Sequence, residues 1–423
     1  MEKKISLDLG KSQINEESIL KFQERADHIH AKLHSGKEAY TGWVDYAMEL
    51  SEDLISEIEE VAADVRKECT AFVILGIGGS YLGARACIDM LGNTFHNQVK
   101  SDIPKIYYAG HNMSSAYYLE LLKVLEGEDV TVCVISKSGT TIETSVAFAI
   151  FKEFLREKYG ESYAKRIIAI TDKEKGILRP EAQEAGYRTF EVPDSVGGRY
   201  SVITPVGLLP VAVAGVDIRE LVKGSRDAYE LYKNTDLKEN EAYRYGVARY
   251  LLNAELGKDI ECYEFYETKL KNLTEWMKQL FGESEGKQGQ GLFPVTVEMT
   301  TELHSMGQYL QEGQQIFAET VLNVENTGAH LAIPQELGYD SSWTMEKLNR
   351  IVTEGVIQAH REENATPTIE ITIKDLTAHT FGFMVYFFEK ACAMCCYLRD
   401  IDPFDQPGVE KYKANVKQII KNG

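Results

Sequence analysis

A chain of 423 residues is long enough for two domains with substantial cores. Its 44% hydrophobic and 26% charged content is that of a soluble globular protein. A net charge of -19 argues against nucleic acid as the main partner, because phosphate backbones require basic faces. A small anionic substrate must then be held by a local cluster of cations and amides. Seven cysteines, an odd number in a chain this long, do not form a disulfide framework and point to a reducing compartment. Met1-Glu2-Lys3-Lys4 lacks a following apolar run, so no signal peptide is expected. The most apolar long segment, 381–398, is interrupted by Glu389 and Lys390 and predicts a buried core helix, with no membrane partner. A cytoplasmic protein is expected.

Residues 15–63 predict helix, with Ile19, Phe22, Ala26, Ile29 and Leu33 recurring at steps of three and four. His30 and His34 have the i,i+4 spacing of a metal pair, but no third ligand accompanies them and a plain helix surface is expected. Residues 71–75 form an apolar strand that meets Gly76-Ile77-Gly78-Gly79-Ser80-Tyr81 and then a helix. A dinucleotide fingerprint would need a third glycine where Tyr81 stands. It would also need an acid after the next strand, which ends in Ala109-Gly110-His111-Asn112. That argues against a nicotinamide cofactor. The turn suits a small anionic or polyol ligand at the backbone, with Ser80 as a donor. A tight turn without a ligand reads equally well from this stretch alone.

Residues 130–135 form a second apolar strand, followed by Ser136-Lys137-Ser138-Gly139-Thr140-Thr141-Ile142-Glu143-Thr144 and a helix over 144–157. The free N–H groups and dipole of a helix start favour an anion, Lys137 adds a full charge, and the hydroxyls add donors. The natural guest is a phosphate monoester. An ordinary Ser/Thr cap is the alternative, but it needs fewer hydroxyls than this stretch supplies. Strands at 105–108, 166–170 and 188–192 alternate with helices, which predicts a parallel sheet covered on both faces. Ligands bind at the carboxyl ends of such strands.

Gly197-Gly198-Arg199 then precedes an apolar run at 205–215, which places the arginine beside the core, ready to hold an oxyanion through parallel hydrogen bonds. A second α/β block begins near 216, with strands at 259–266, 295–299, 317–324 and 368–373. A helix over 272–280 leads to a glycine-rich polar loop, 282–291, carrying Glu283 and Glu285. His304 opens a helix. Cys392 and Cys395 have redox or zinc spacing, but inside an apolar helix without a second pair they read as packing. No other ligand cluster suggests a metal. The last stretch, Phe404-Asp405-Gln406-Pro407 through Lys413, is a turn into a final helix.

Five of these stretches together resemble the glucose-6-phosphate isomerase family, in its shorter bacterial form: 76–80, 136–144, 197–201, 283–287 and 404–413. They stand in the family's order and span nearly the whole chain. The resemblance implies two sugar-isomerase (SIS) domains, each a mainly parallel sheet flanked by helices. The boundaries expected are a helical segment at 1–45, SIS domains at 46–205 and 206–400, and a helical tail at 401–423. It implies reversible conversion of glucose 6-phosphate and fructose 6-phosphate, in glycolysis and gluconeogenesis, with no cofactor and no metal. By motif position, Ser136, Ser138, Thr141 and Thr144 would hold the phosphate, with Ser80 and Lys137 lining the site. Glu283 matches the base that moves a proton between C1 and C2. Arg199 and the amide of Gly198 would face the enediolate. His304 and Lys413 match the ring-opening residues, and Gln406 would contact substrate. A homodimer is implied, with His304 reaching the partner's site. Ser138 and Gly139 stand where animal members have threonine and phenylalanine, Tyr81 where they have aspartate, and Pro407 where they have tryptophan. The chain ends ten residues after Lys413, which predicts a short final helix. A non-catalytic sugar-phosphate sensor would keep the phosphate cradle and lose Glu283, His304 or Lys413, and this chain has all three.

Overall fold

The computed structural model describes residues 2–422. Its strands are β1 (Ile5–Asp8), β2 (Ala71–Leu75), β3 (Lys105–Ala109), β4 (Val130–Ile135), β5 (Ile167–Thr171), β6 (Arg188–Glu191), β7 (Ile260–Phe265), β8 (Phe293–Glu298), β9 (Phe317–Asn326) and β10 (Thr368–Asp375). The chain forms two compact units. One comprises Glu38–Tyr229 with Thr377–Val385, and the other comprises the chain up to Lys37, Glu230–Leu376 and the chain from Tyr386.

In the first unit every residue of β2, β4 and β5 is buried, as strands covered on both faces must be. Their apolar side chains pack with Phe148, Phe151 and Leu155 of the helix Ile142–Tyr159. The order is β3-β2-β4-β5-β6, all parallel. After β2 the chain steps outward to β3 and then returns across to β4. The strand order therefore reverses beside β2, and a crevice opens there at the carboxyl ends. Leu75 pairs with both Ala109 and Val134, so three strand ends are level at that crevice.

The second unit has the order β1-β10-β9-β7-β8, parallel except for β1, which runs antiparallel on the edge. The pairing of β1 with β10 draws the chain's start into this unit, ahead of the helices Glu16–Leu20 and Gln23–Leu33. The helix Ala378–Leu398 is long and apolar enough to cross a membrane, yet its apolar window is wholly buried, so it is a core helix.

His30 and His34 correct the plain-surface expectation. Their rings stack 4.1 Å apart. His30 Nδ1 lies 2.7 Å from the Tyr243 hydroxyl, and His34 Nε2 lies 2.7 Å from the ammonium of buried Lys390. Desolvation, reinforced by the Lys390 charge, holds His30 down to about 4 and His34 down to about 3. Neutral His34 can thus accept a hydrogen bond from a buried lysine.

Candidate functional site

The loop after β4 sits at the switch-point crevice. Ser136 is buried, and its Oγ accepts from the Gly139 amide at 3.1 Å. The Ser138 and Thr140 hydroxyls lie 2.8 Å apart. Thr141 is the N-cap of the helix Ile142–Tyr159, yet it makes no side-chain capping bond. The Thr141 hydroxyl is therefore not spent on capping. Ser80, Ser136, Lys137, Ser138, Thr141 and Thr144 line one cavity of about 910 Å³. Every phosphate-contact residue expected from the sequence is brought together there.

Lys137 Nζ lies 3.1 Å from Asp194 Oδ1, and Asp194 Oδ2 lies 3.8 Å from Lys175 Nζ. One carboxylate thus balances two lysines at the cavity edge. Tyr40, Asp172, Lys175 and Asp194 also line the cavity and were not foreseen. The amides of Lys175 and Glu174 donate to Asp172 and hold its carboxyl below the usual range. Tyr40 arrives because Thr41 bridges to Val196 and the Gly42 amide donates to Ser195.

The glycine turn after β2 lies backbone to backbone against the turn Gly198–Tyr200. A Cβ on Gly79 would run into the Gly198 carbonyl, so only glycine permits this approach. Ser80 and Arg199 are thereby tied to one small region. Arg199 is 1% exposed, with its guanidinium carbon 5.6 Å from the centre of the Tyr200 ring. Tyr200 in turn stacks on Trp43 at 5.0 Å. Tyr81, where a dinucleotide site would need glycine, stacks on His111.

In the second unit, Glu283 is not on a loop. The helix Lys271–Glu285 runs through it and ends at Gly286, whose amide donates to the Gly282 carbonyl. A glycine just past a helix end is the usual stop, and here it stands four residues later than expected from Gly282. Gln279 donates to Glu283 Oε1 at 3.0 Å, and Gln406 donates to Oε2 at 2.9 Å. The expected base and one expected substrate contact are therefore adjacent. Lys287, bonded to Asp405 at 2.6 Å, ties the helix end to the loop carrying Gln406.

His304 ends the 3-10 turn Thr301–His304 at an exposed position, and the α-helix that follows starts later, at Gly307. Lys413 is exposed on the helix Pro407–Asn422, with Nζ 3.2 Å from Glu410. Neither belongs to the Glu283–Gln406 pair. The final helix is 16 residues long rather than short, and none of its residues is buried. Cys392 and Cys395 are buried within Ala378–Leu398. Burial raises the Cys395 thiol far above its usual range, which suits packing.

Both units are α/β with mainly parallel sheets flanked by helices, the sugar-isomerase (SIS) type of fold. The phosphoglucose isomerase family profile matches residues 13–324. The glucose-6-phosphate isomerase of Clostridioides difficile is 45% identical, covering 99% of this chain and 96% of that protein. That of Acetivibrio thermocellus is 46% identical with the same coverage. Among solved structures, a hypothetical protein from Thermus thermophilus matches with a TM-score of 0.89 at 25% identity, covering 98% of this chain and 99% of that one. A glucose-6-phosphate isomerase from Chlamydia trachomatis shares the fold, with a TM-score of 0.83 at 19% identity, 99% of this chain and 88% of that one. The chain belongs to the phosphoglucose isomerase family.

Proposed function

We propose that this chain interconverts glucose 6-phosphate and fructose 6-phosphate, a step of glycolysis and gluconeogenesis. The observation that carries the reading is the hydroxyl-and-lysine loop at the switch-point crevice, its side chains lining one cavity and the Thr141 hydroxyl left uncapping. Ser136, Ser138, Thr141, Thr144 and Ser80 donate to the substrate phosphate, and Lys137 exchanges Asp194 for it. Anchoring there makes binding energy available for orientation at the far end of the sugar.

His304 and Lys413 serve as proton donor and acceptor at the ring and anomeric oxygens, which opens the ring. Glu283 takes the proton from C2 of the open aldose. The C–H electrons become the C1–C2 double bond, and charge moves onto O1. Arg199 and the Gly198 amide stabilise that charge. After a proton passes between the two oxygens, Glu283 returns its own to C1. Gln279 and Gln406 each donate to one Glu283 oxygen, which orients the carboxylate. Gln406 orients both Glu283 and substrate. No step of this sequence requires a metal or redox cofactor.

The test is conversion of fructose 6-phosphate by the purified chain after chelator treatment, with each product measured separately. Glucose 6-phosphate as the product supports the reading. Tight substrate binding without turnover would move the chain to the sensor class.

The chain acts as a homodimer in which His304 completes the partner's site. Support comes from the exposed apolar side chains near it, Met306 and Tyr309, and from Leu331, Leu337 and Met345. Mixing inactive His304→Ala and Glu283→Gln chains is expected to restore activity, because a mixed dimer then holds one intact site. If His304 served its own subunit, no mixture would recover activity.

A further inference from the structure

The helix that carries Glu283 also carries Glu285. Two residues apart on a helix, they face opposite sides. Glu283 is half-buried against Gln279 and Gln406, whereas Glu285 is fully buried. Arg249, on the helix Glu241–Ala254, is equally buried and joins two carboxylates. Its Nε lies 2.7 Å and its Nη2 2.6 Å from Glu261 Oε2, and its Nη1 is bonded to Glu285 Oε1. The guanidinium carbon stands 3.8 Å from the centre of the Phe281 ring, one turn before Glu285. Glu261, on β7, also accepts from the hydroxyls of Tyr245 at 2.8 Å and Thr320 at 2.7 Å. A continuous set of fixed groups thus runs from β7 and β9 to the last turn of the helix that carries Glu283.

A helix end is where the backbone frays, because its last carbonyls lack helical partners. A buried ion pair is a weak source of net stability compared with apolar packing, so its value here lies in geometry. The rigid guanidinium fork fixes both the height and the rotation of the helix end. We infer that Arg249 and Glu285 are positioning residues for Glu283, setting its carboxylate over the carbons between which the proton moves. The inference rests on the reading of Glu283 as the base.

Glu285→Gln keeps the side-chain volume and leaves Arg249 paired with Glu261. Arg249→Lys keeps one charge but cannot span both carboxylates. For both variants the measurements are kcat and KM, the isotope effect on glucose 6-phosphate deuterated at C2, and the thermal midpoint. Displacing the base should lower kcat about 10- to 100-fold, with KM within about threefold. The isotope effect should grow as proton transfer becomes limiting. A scaffold role would lower kcat only in step with the folded fraction, with the isotope effect unchanged, and that result overturns the inference. Glu283→Gln run beside them separates the two levels. If it is inactive while folded Glu285→Gln and Arg249→Lys turn over normally, the positioning role fails and the base stands. If Glu283→Gln itself turns over normally, the reading of the base fails first.

Discussion

Glu283→Gln is expected to lower kcat by about a thousandfold, within the range of 10²–10⁴ for a positioned general base. The substitution is nearly isosteric and removes only the capacity to take and return a proton. The surroundings can absorb it. Gln279 and Gln406 each donate to one Glu283 oxygen, and a glutamine at this position would offer one acceptor and one donor. Rotation of the Gln279 amide would pair that donor again, so helix and loop keep their geometry. Affinity for inorganic phosphate, which reports the cradle around Lys137, should stay within about threefold, since ground-state contacts are untouched. Steady-state rates and calorimetric phosphate binding check both halves. Normal turnover would remove Glu283 from the mechanism, and loss of phosphate binding would show that the substitution disturbs more than the proton transfer.

The cradle was legible because it is contiguous. Strand, loop and helix start lie within one run of sequence, and β2, β4 and β5 announce themselves as short apolar runs. Edge strand β1 was not legible. Its four residues alternate buried and exposed, too short a stretch for a period to stand out, and its partner β10 lies at the other end of the chain. The extent of the helix bearing Glu283 is hidden in the sequence because Gly282 reads as a stop. In the structure its missing side chain faces Pro294 without a clash, and the helix continues to Glu285. Tyr40, Asp194 and Lys175 reach the cavity only through the Thr41–Val196 bridge and the turn after β5, and no local pattern marks them. Arg249 carries no local signal in the sequence. Only burial among Glu261, Glu285 and Phe281 gives it a part beyond solvation. Contiguous features follow from local chemistry, whereas residues gathered from distant segments need the fold to bring them together.

Arg199→Lys is expected to lower kcat by about a hundredfold and Arg199→Ala by more, the scale of removing a donor aimed at developing oxyanion charge. The arginine is confined. Its backbone is pinned where Gly79 meets Gly198, its side chain is 1% exposed, and Tyr200 beside it is stacked on Trp43. Such a group has little freedom to follow the substrate, so its strength lies in being placed before charge appears. Lysine keeps the charge but loses the planar fork, which separates geometry from electrostatics. If Arg199 serves the enediolate, KM should stay within about threefold while kcat falls. An inhibitor that mimics the enediolate should then lose affinity in proportion to kcat/KM, because it borrows the same contacts. Inorganic phosphate should not, because its contacts lie in the cradle. A rise in KM with kcat preserved would reverse the assignment and make Arg199 a ground-state contact, leaving the charge on the enediolate to the Gly198 amide.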